Sequence, residues 1–170
     1  MEAERQTLDE NTVSAESAKI TVMELSRNSD LSWMLMPILF ERVRKFAAQY
    51  EPEGNSAVLC RAIAEDFVSD QPRFHATMTL TGGKCVGHTL TILEVIAGIV
   101  YANVIQDETD EGITVDRQSR LDCLRLIEQW TKARQCNRIH AYANSEAKTR
   151  RLEIFYGFKR YKTLLRKEIL

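Results

Sequence analysis

"RRLEIFYGFKRYKTLLRKEIL", residues 150 to 170, decides how the chain is read. A helical run closes on Gly157, and an aromatic residue follows at once. Glycine reaches the left-handed conformation that ends many helices at little steric cost, so Gly157 is expected to stop the helix there. Phe158 is then expected to enter the core and to start a last strand, "FKRYKTLLRKEI". Taken alone, the Gly157-Phe158 pair is a helix stop with a core anchor, which suits any function.

Upstream, "LIEQWTKARQCNRIHAYA" (126–143) gives the end of a long helix, a turn and a short strand. The helix is expected from Asp116 to about Gln135, because Leu121, Leu124, Ile127 and Trp130 step by three with Leu126 and Ala133 alongside. The strand before it, "GIVYANVIQDE" (98–108), has the apolar density of a central strand. Before that, "RFHATMTLTGGKCVGHTLTILEV" places Gly82-Gly83 between two β-rich runs, a hairpin signal. A two-residue loop would pair Thr81 with Lys84 and Thr77 with His88. Phe74, Ala76, Met78 and Leu80 would then share the core face.

Two helices are expected ahead of the hairpin. In the first, Ile38, Phe40, Val43, Phe46, Ala47 and Tyr50 recur at helical spacing, and Pro37 is expected to open the helix rather than sit inside it. In the second, Leu59, Ile63 and Phe67 step by four behind an Asn55 or Ser56 cap. "KITVMEL" (19–25) alternates as a first strand, and residues 1 to 18 form a polar, acidic arm. The order is β-α-α-β-β-β-α-β-α-β. It implies an α+β domain over 19–170, with a mixed, mostly antiparallel sheet and helices packed on its faces.

Composition excludes several classes. With net charge -1, the whole-molecule field favours no particular partner. The charge is nevertheless split. Residues 117 to 170 hold 14 Lys/Arg against 5 Asp/Glu, and residues 1 to 116 hold 9 against 19. The two parts either offset each other within one domain or present a basic surface to a phosphate-bearing or acidic partner. Cys60, Cys85, Cys123 and Cys136 show no paired ligand spacing, so neither a disulfide framework nor a zinc site is expected. No apolar run approaches the ~20 residues needed to span a membrane. The polar N-terminus does not read as a signal peptide, and a cytoplasmic location is expected, in a cell or an infected host.

The closing run, with Leu152 and Gly157-Phe158 in place, resembles the end of the GNAT N-acetyltransferase fold, and "LIEQWTKARQCNRIHAYA" resembles that family's long helix, turn and fifth strand. The resemblance reaches from about Lys19 to the C-terminus. It implies a site for acetyl-CoA in a splay between the fourth and fifth strands, beside Ile105. The diphosphate would rest on backbone N–H groups of an Arg/Gln-x-x-Gly-x-Gly/Ala loop that opens the long helix. The glycine positions of that loop fall on about Gln118 and Arg120, within "RQSR" (Arg117, Gln118, Ser119, Arg120). Either the guanidinium groups of Arg117 and Arg120 replace backbone donors, or the side chains fill the cradle. The acidic "IQDETDE" just ahead would repel a diphosphate, and loss is the expected outcome.

The acid and base positions depart from the family's pattern as well. Its general acid, a Tyr four residues before the Gly of Gly-Phe, corresponds to Glu153, with Tyr156 nearby on another face of the helix. The fourth-strand carboxylate base has Asp107 and Glu108 as candidates, with Glu94 on the strand before. His140 on the fifth strand is a further base candidate. Asn144 resembles the family's CoA-contacting Asn, or else caps the last helix.

His75 and His88 are expected on one face of the hairpin, but no third ligand accompanies them and no metal site is expected. "KTRR" with Lys159, Arg160 and Lys162 reads as a solvated basic face rather than a nucleic-acid surface. Two functions follow from the resemblance. The expected one is a non-catalytic member acting through protein contacts, similar to the compact GNAT-like proteins carried by tailed phages, including particle-associated ones. The other is an active acetyl-CoA-dependent N-acetyltransferase.

Overall fold

Ile20 and Val22 alternate with polar neighbours along β1 (Ile20–Glu24), which pairs antiparallel with β2 (Phe74–Thr81). The computed structural model describes residues 19–50, 54–96, 98–136, 138–143 and 145–160. The expected arm over 1–18 and residues 161–170 of the expected last strand lie outside these. Phe158, Lys159 and Arg160 carry no regular structure.

The order runs β1, α1 (Asp30–Tyr50), α2 (Ser56–Phe67), β2, β3 (Lys84–Ile96), β4 (Ile99–Thr109), α3 (Arg117–Ala133), β5 (Ile139–Ala141) and α4 (Glu146–Tyr156). The five strands form one sheet in sequence order. All pairings are antiparallel except β4 with β5, which is parallel. The architecture is α+β, with a mostly antiparallel sheet and helices on both faces.

On one face, Leu35, Met36, Leu39 and Val43 of α1 and Cys60 and Ile63 of α2 pack on Ala76, Met78 and Leu90. On the other, Trp130 of α3 and Cys136 cover Ala102, with Leu93, Val100 and Ile139 alongside. This second face is unusually polar for a sheet interior: His75, Thr77, Thr89 and Thr91 are all buried.

Three local features depart from the sequence reading. Pro37 lies inside α1 and does not open it. The helix continues because Leu35, Met36, Leu39, Val43 and Ala47 bury one unbroken face, while Pro37 and Ile38 face outward, where water can serve the carbonyl that proline leaves unpaired. A bulge at Val86 is the second. Thr81 pairs with Lys84 as expected, but Thr79 pairs with Gly87 and Leu80 with Cys85, so Thr77 meets Thr89 and His88 meets Met78. The slip turns His88 to the α1 face, whereas His75 stays on the α3 face against the Trp130 ring, 5.1 Å between centroids. The two histidines therefore do not share a face. Among the described residues no group of three His, Cys, Asp or Glu side chains is arranged to hold a metal ion. The third feature is a bulge at Ile105, since Leu90 pairs with Gln106 and Thr91 with Val104.

Gly157 takes φ +72° at the end of α4, and the N–H groups of Gly157 and Phe158 both donate to the Leu152 carbonyl. No described helix is long and apolar enough to cross a membrane.

Candidate functional site

The β4–β5 pairing is only three residues long. Ala102, Asn103 and Val104 face Ile139, His140 and Ala141, and the bulge at Ile105 follows immediately. Beyond that point the strands part. A cavity of about 780 Å³ opens between Val104–Glu108 on one side and Ala141, Tyr142 and Ala143 on the other. Leu124 and Ile127 of α3 line it, with Phe46, Ala47 and Tyr50 of α1 and Lys148, Leu152 and Tyr156 of α4. Its volume falls within the roughly 300–1,000 Å³ of small-molecule sites.

Two polar networks run into this cavity from opposite faces of the sheet. On the α3 face, Thr77 Oγ1 lies 3.2 Å from Cys123 Sγ, the Cys123 thiol donates to Thr89 Oγ1 (3.4 Å), and Thr89 donates to Asp107 Oδ1 (3.3 Å). Lys148 Nζ stands 3.6 Å from Asp107 Oδ2. Burial pushes the Cys123 thiol up, so it keeps its proton and stays a donor at neutral pH. On the α1 face, Arg42 donates from Nε to His88 Nδ1 (3.2 Å) and pairs with Asp110 (2.9 Å). With Nδ1 accepting, His88 carries its hydrogen on Nε2 and donates to Gln106 Oε1 (3.0 Å). Burial holds the His88 pKa below the ordinary imidazole range. Glu108 Oε2 is 3.8 Å from His88 Nδ1.

The first turn of α3 stands beside the cavity. Asp116 caps it: its carboxylate accepts the Ser119 N–H (2.9 Å) and the Ser119 hydroxyl (2.6 Å). The Ser119 hydroxyl bond and then the Ser119 N–H bond hold the Asp116 carboxyl below its usual range. Gln118 turns outward and donates to Asp122 (2.8 Å). Arg120 donates from Nε to the Val115 carbonyl (3.3 Å) and lines the cavity.

The structure thus gathers Ile105, Asp107, Glu108 and Arg120 at one cavity. Arg117 and Gln118 are exposed on the same helical turn, and Ser119 is buried against Asp116. Glu153 is held outside the lining by Arg160 (2.9 Å), which also pairs with Glu146. Tyr156 takes the position facing the cavity. His140 stacks on Tyr101, 4.6 Å between centroids, and does not line the cavity. Glu94 accepts from the Asn103 amide. Asn144 lies outside the described residues, and the α4 cap is Ser145, which accepts the Lys148 N–H.

Sequence reading missed Asp116, Lys148, Thr89, Gln106 and Cys123 as parts of this region. Only Asp116 carried a signal, an acidic cap three residues before Ser119. The others meet through the register and the strand splay.

No family model matches the chain, and no curated protein matches it. Solved structures do. An aminoglycoside acetyltransferase, AAC(6')-Iy, determined with a CoA bisubstrate analogue, aligns with TM-score 0.63 at 8% identity, over 90% of this chain and 99% of that one. A Clostridium acetobutylicum protein described as a predicted acetyltransferase, determined with acetyl-CoA, aligns with TM-score 0.64 at 12% identity, over 88% and 96%. An aminoglycoside acetyltransferase from an uncultured soil sample aligns with TM-score 0.56 at 15% identity, over 89% and 98%. The chain has the GNAT acetyltransferase fold.

Proposed function

We propose that this GNAT-fold protein does not seat the acetyl-CoA diphosphate in the fold's usual way and works by binding rather than by acetyl transfer. One observation carries the reading. The Asp116 carboxylate already occupies the amino end of α3 and takes the Ser119 N–H group. A diphosphate brought to the same turn would have to displace a negative charge. It would also meet the Gln118 and Arg120 side chains, where bare backbone is needed for close approach. The residues present do not fit that group.

Support for protein contacts comes from α1. Leu31, Met34 and Ile38 form a stripe at helical spacing, and Met34 is 73% exposed. The partners proposed are proteins, and the resemblance to compact phage proteins makes a virion particle one setting for them.

Melting the protein with and without millimolar acetyl-CoA tests the reading. The expected result is no change in midpoint. A site with a micromolar Kd would add about 4 kcal/mol at a thousandfold excess and overturn it. The second reading, an acetyl-CoA-dependent N-acetyltransferase, draws on the cavity at the strand splay and on two of the three aligned structures having been determined with acetyl-CoA or a CoA analogue. It requires both that melting shift and acetyl-CoA turnover with an amine.

A further inference from the structure

One charge on the α3 side of the cavity is not matched within the described protein. Two helices each give the space a stripe at helical spacing: Arg120, Leu124 and Ile127 from α3, and Lys148, Leu152 and Tyr156 from α4. A cation in the first turn opens each stripe, and apolar side chains follow. Both cations belong to one end of the space, which a chain of contacts on the α3 face ties together. Lys148 Nζ lies 3.6 Å from Asp107 Oδ2, and Asp107 Oδ1 accepts from Thr89 (3.3 Å). Thr89 in turn accepts from the Cys123 thiol (3.4 Å), one helical turn from Arg120. Lys148 and Asp107 offset each other. Arg120 instead engages the Val115 carbonyl through Nε (3.3 Å), and among the described residues no ion pair joins it to a carboxylate. Glu108 is not its counter-charge, because the register turns that carboxylate to the α1 face, 3.8 Å from His88.

We infer that the cavity binds a medium-chain carboxylic acid, a single carboxylate on an apolar tail. The carboxylate lies against the Nη atoms of Arg120, whose fork can donate two parallel hydrogen bonds. The tail runs along Leu124 and Ile127 of α3 and Leu152 and Tyr156 of α4. At 1.5 Å per helical residue each stripe is roughly 10 Å long, about the reach of an extended eight-carbon chain. One negative charge answers the one unmatched positive charge on this face, whereas an amine would carry the same sign as Arg120. A carboxylate needs only the guanidinium, not the bare backbone that a diphosphate needs at the same turn. The inference goes beyond the protein-contact reading, needs the cavity alone, and stands whether or not acetyl-CoA binds.

Calorimetry on the full chain with octanoate, octanamide, octylamine and butanoate tests it. Octanoate is expected to bind, and octanamide and octylamine about tenfold or more weakly, for want of the charge that Arg120 meets. Butanoate should also fall about tenfold or more, since it buries less apolar surface. Arg120→Gln should bring octanoate down to the level of octanamide and leave octanamide unchanged, which shows the cavity intact. Arg125→Gln removes the same charge from the exposed side of the same helix and should change neither. Should Arg120→Gln fail to fold, the octanoate-to-octanamide ratio of the unaltered chain carries the test. Octanamide or octylamine binding as tightly as octanoate would overturn the inference. So would an equal loss of octanoate in Arg125→Gln and Arg120→Gln, or no heat from octanoate at roughly 10 mM, far above the Kd of a working site. Acetyl-CoA titrated in parallel reports on the non-catalytic reading separately: binding there sinks that reading, while the octanoate comparison still decides this one.

Discussion

Gln135 sits at φ +56° just after α3, the one non-glycine residue with positive φ among the described residues. A side chain there costs roughly 1–2 kcal/mol, which glycine avoids. Gln135→Gly is therefore expected to stabilise the fold by about 1 kcal/mol net of the added unfolded-state freedom, read as a higher chemical-denaturation midpoint. At Asp116 the sign runs with pH. Its folded pKa lies below the unfolded value, so its contribution is present above the unfolded pKa and fades as pH falls through the folded one. Asp116→Asn is expected to flatten the loss of stability between about pH 5 and pH 3. An unchanged slope would mean that the carboxylate does not hold the turn as described.

Single elements show why some of the fold was legible and some was not. The periodicities of α1, α2 and α3 depend on apolar spacing, and Val43, Ile63 and Ile127 are buried where that spacing puts them, whereas Ile38 and Tyr50 of the expected α1 stripe are exposed and Leu39, outside it, is buried. The Gly82-Gly83 turn was equally plain. The bulges at Val86 and Ile105 had no such mark, because each is an extra residue in a run that still reads as strand. The first reversed the relation of His75 to His88, and the second opens the cavity. Of the candidate site, the fourth-strand carboxylates and Arg120 were visible as residue types, but Lys148 and Thr89 reach Asp107 only in three dimensions. Pro37 was misplaced because the local rule for proline yielded to packing of the buried face. Replacing it with alanine should restore a helix hydrogen bond and raise stability by about 1–3 kcal/mol, measured by denaturant unfolding. A loss of stability would show that α1 is fitted around the proline. His88 makes the β3–β4 pair sensitive to acid. Its depressed folded pKa, caused chiefly by burial, means that stability holds above the unfolded value near 6.5 and falls as pH drops below it. The groups facing it are Arg42, Gln106 and Glu108, and the Asp107 charge acts on it from the other face of the sheet. His88→Gln should remove that part of the decline.

Across the whole molecule, two apolar clusters on opposite faces of one sheet share the load unequally with the surface. Leu39 is fully buried in the larger cluster, and Leu39→Ala is expected to cost about 2–5 kcal/mol. Ile154, 70% exposed on α4, should change stability by no more than about 0.5 kcal/mol on replacement by alanine. Similar costs at the two sites in parallel melts would contradict this division. The charge split between the chain's two parts is partly resolved inside the fold, where Lys148 of the basic part meets Asp107 of the acidic part.

The three-pair parallel seam between β4 and β5 has a kinetic corollary. A zipper so short is the cheapest place for the molecule to open without melting entirely. In deuterium labelling, the amides of Ile139, His140 and Ala141 should gain mass long before those of β2 and β3, as a door swings before its wall gives way.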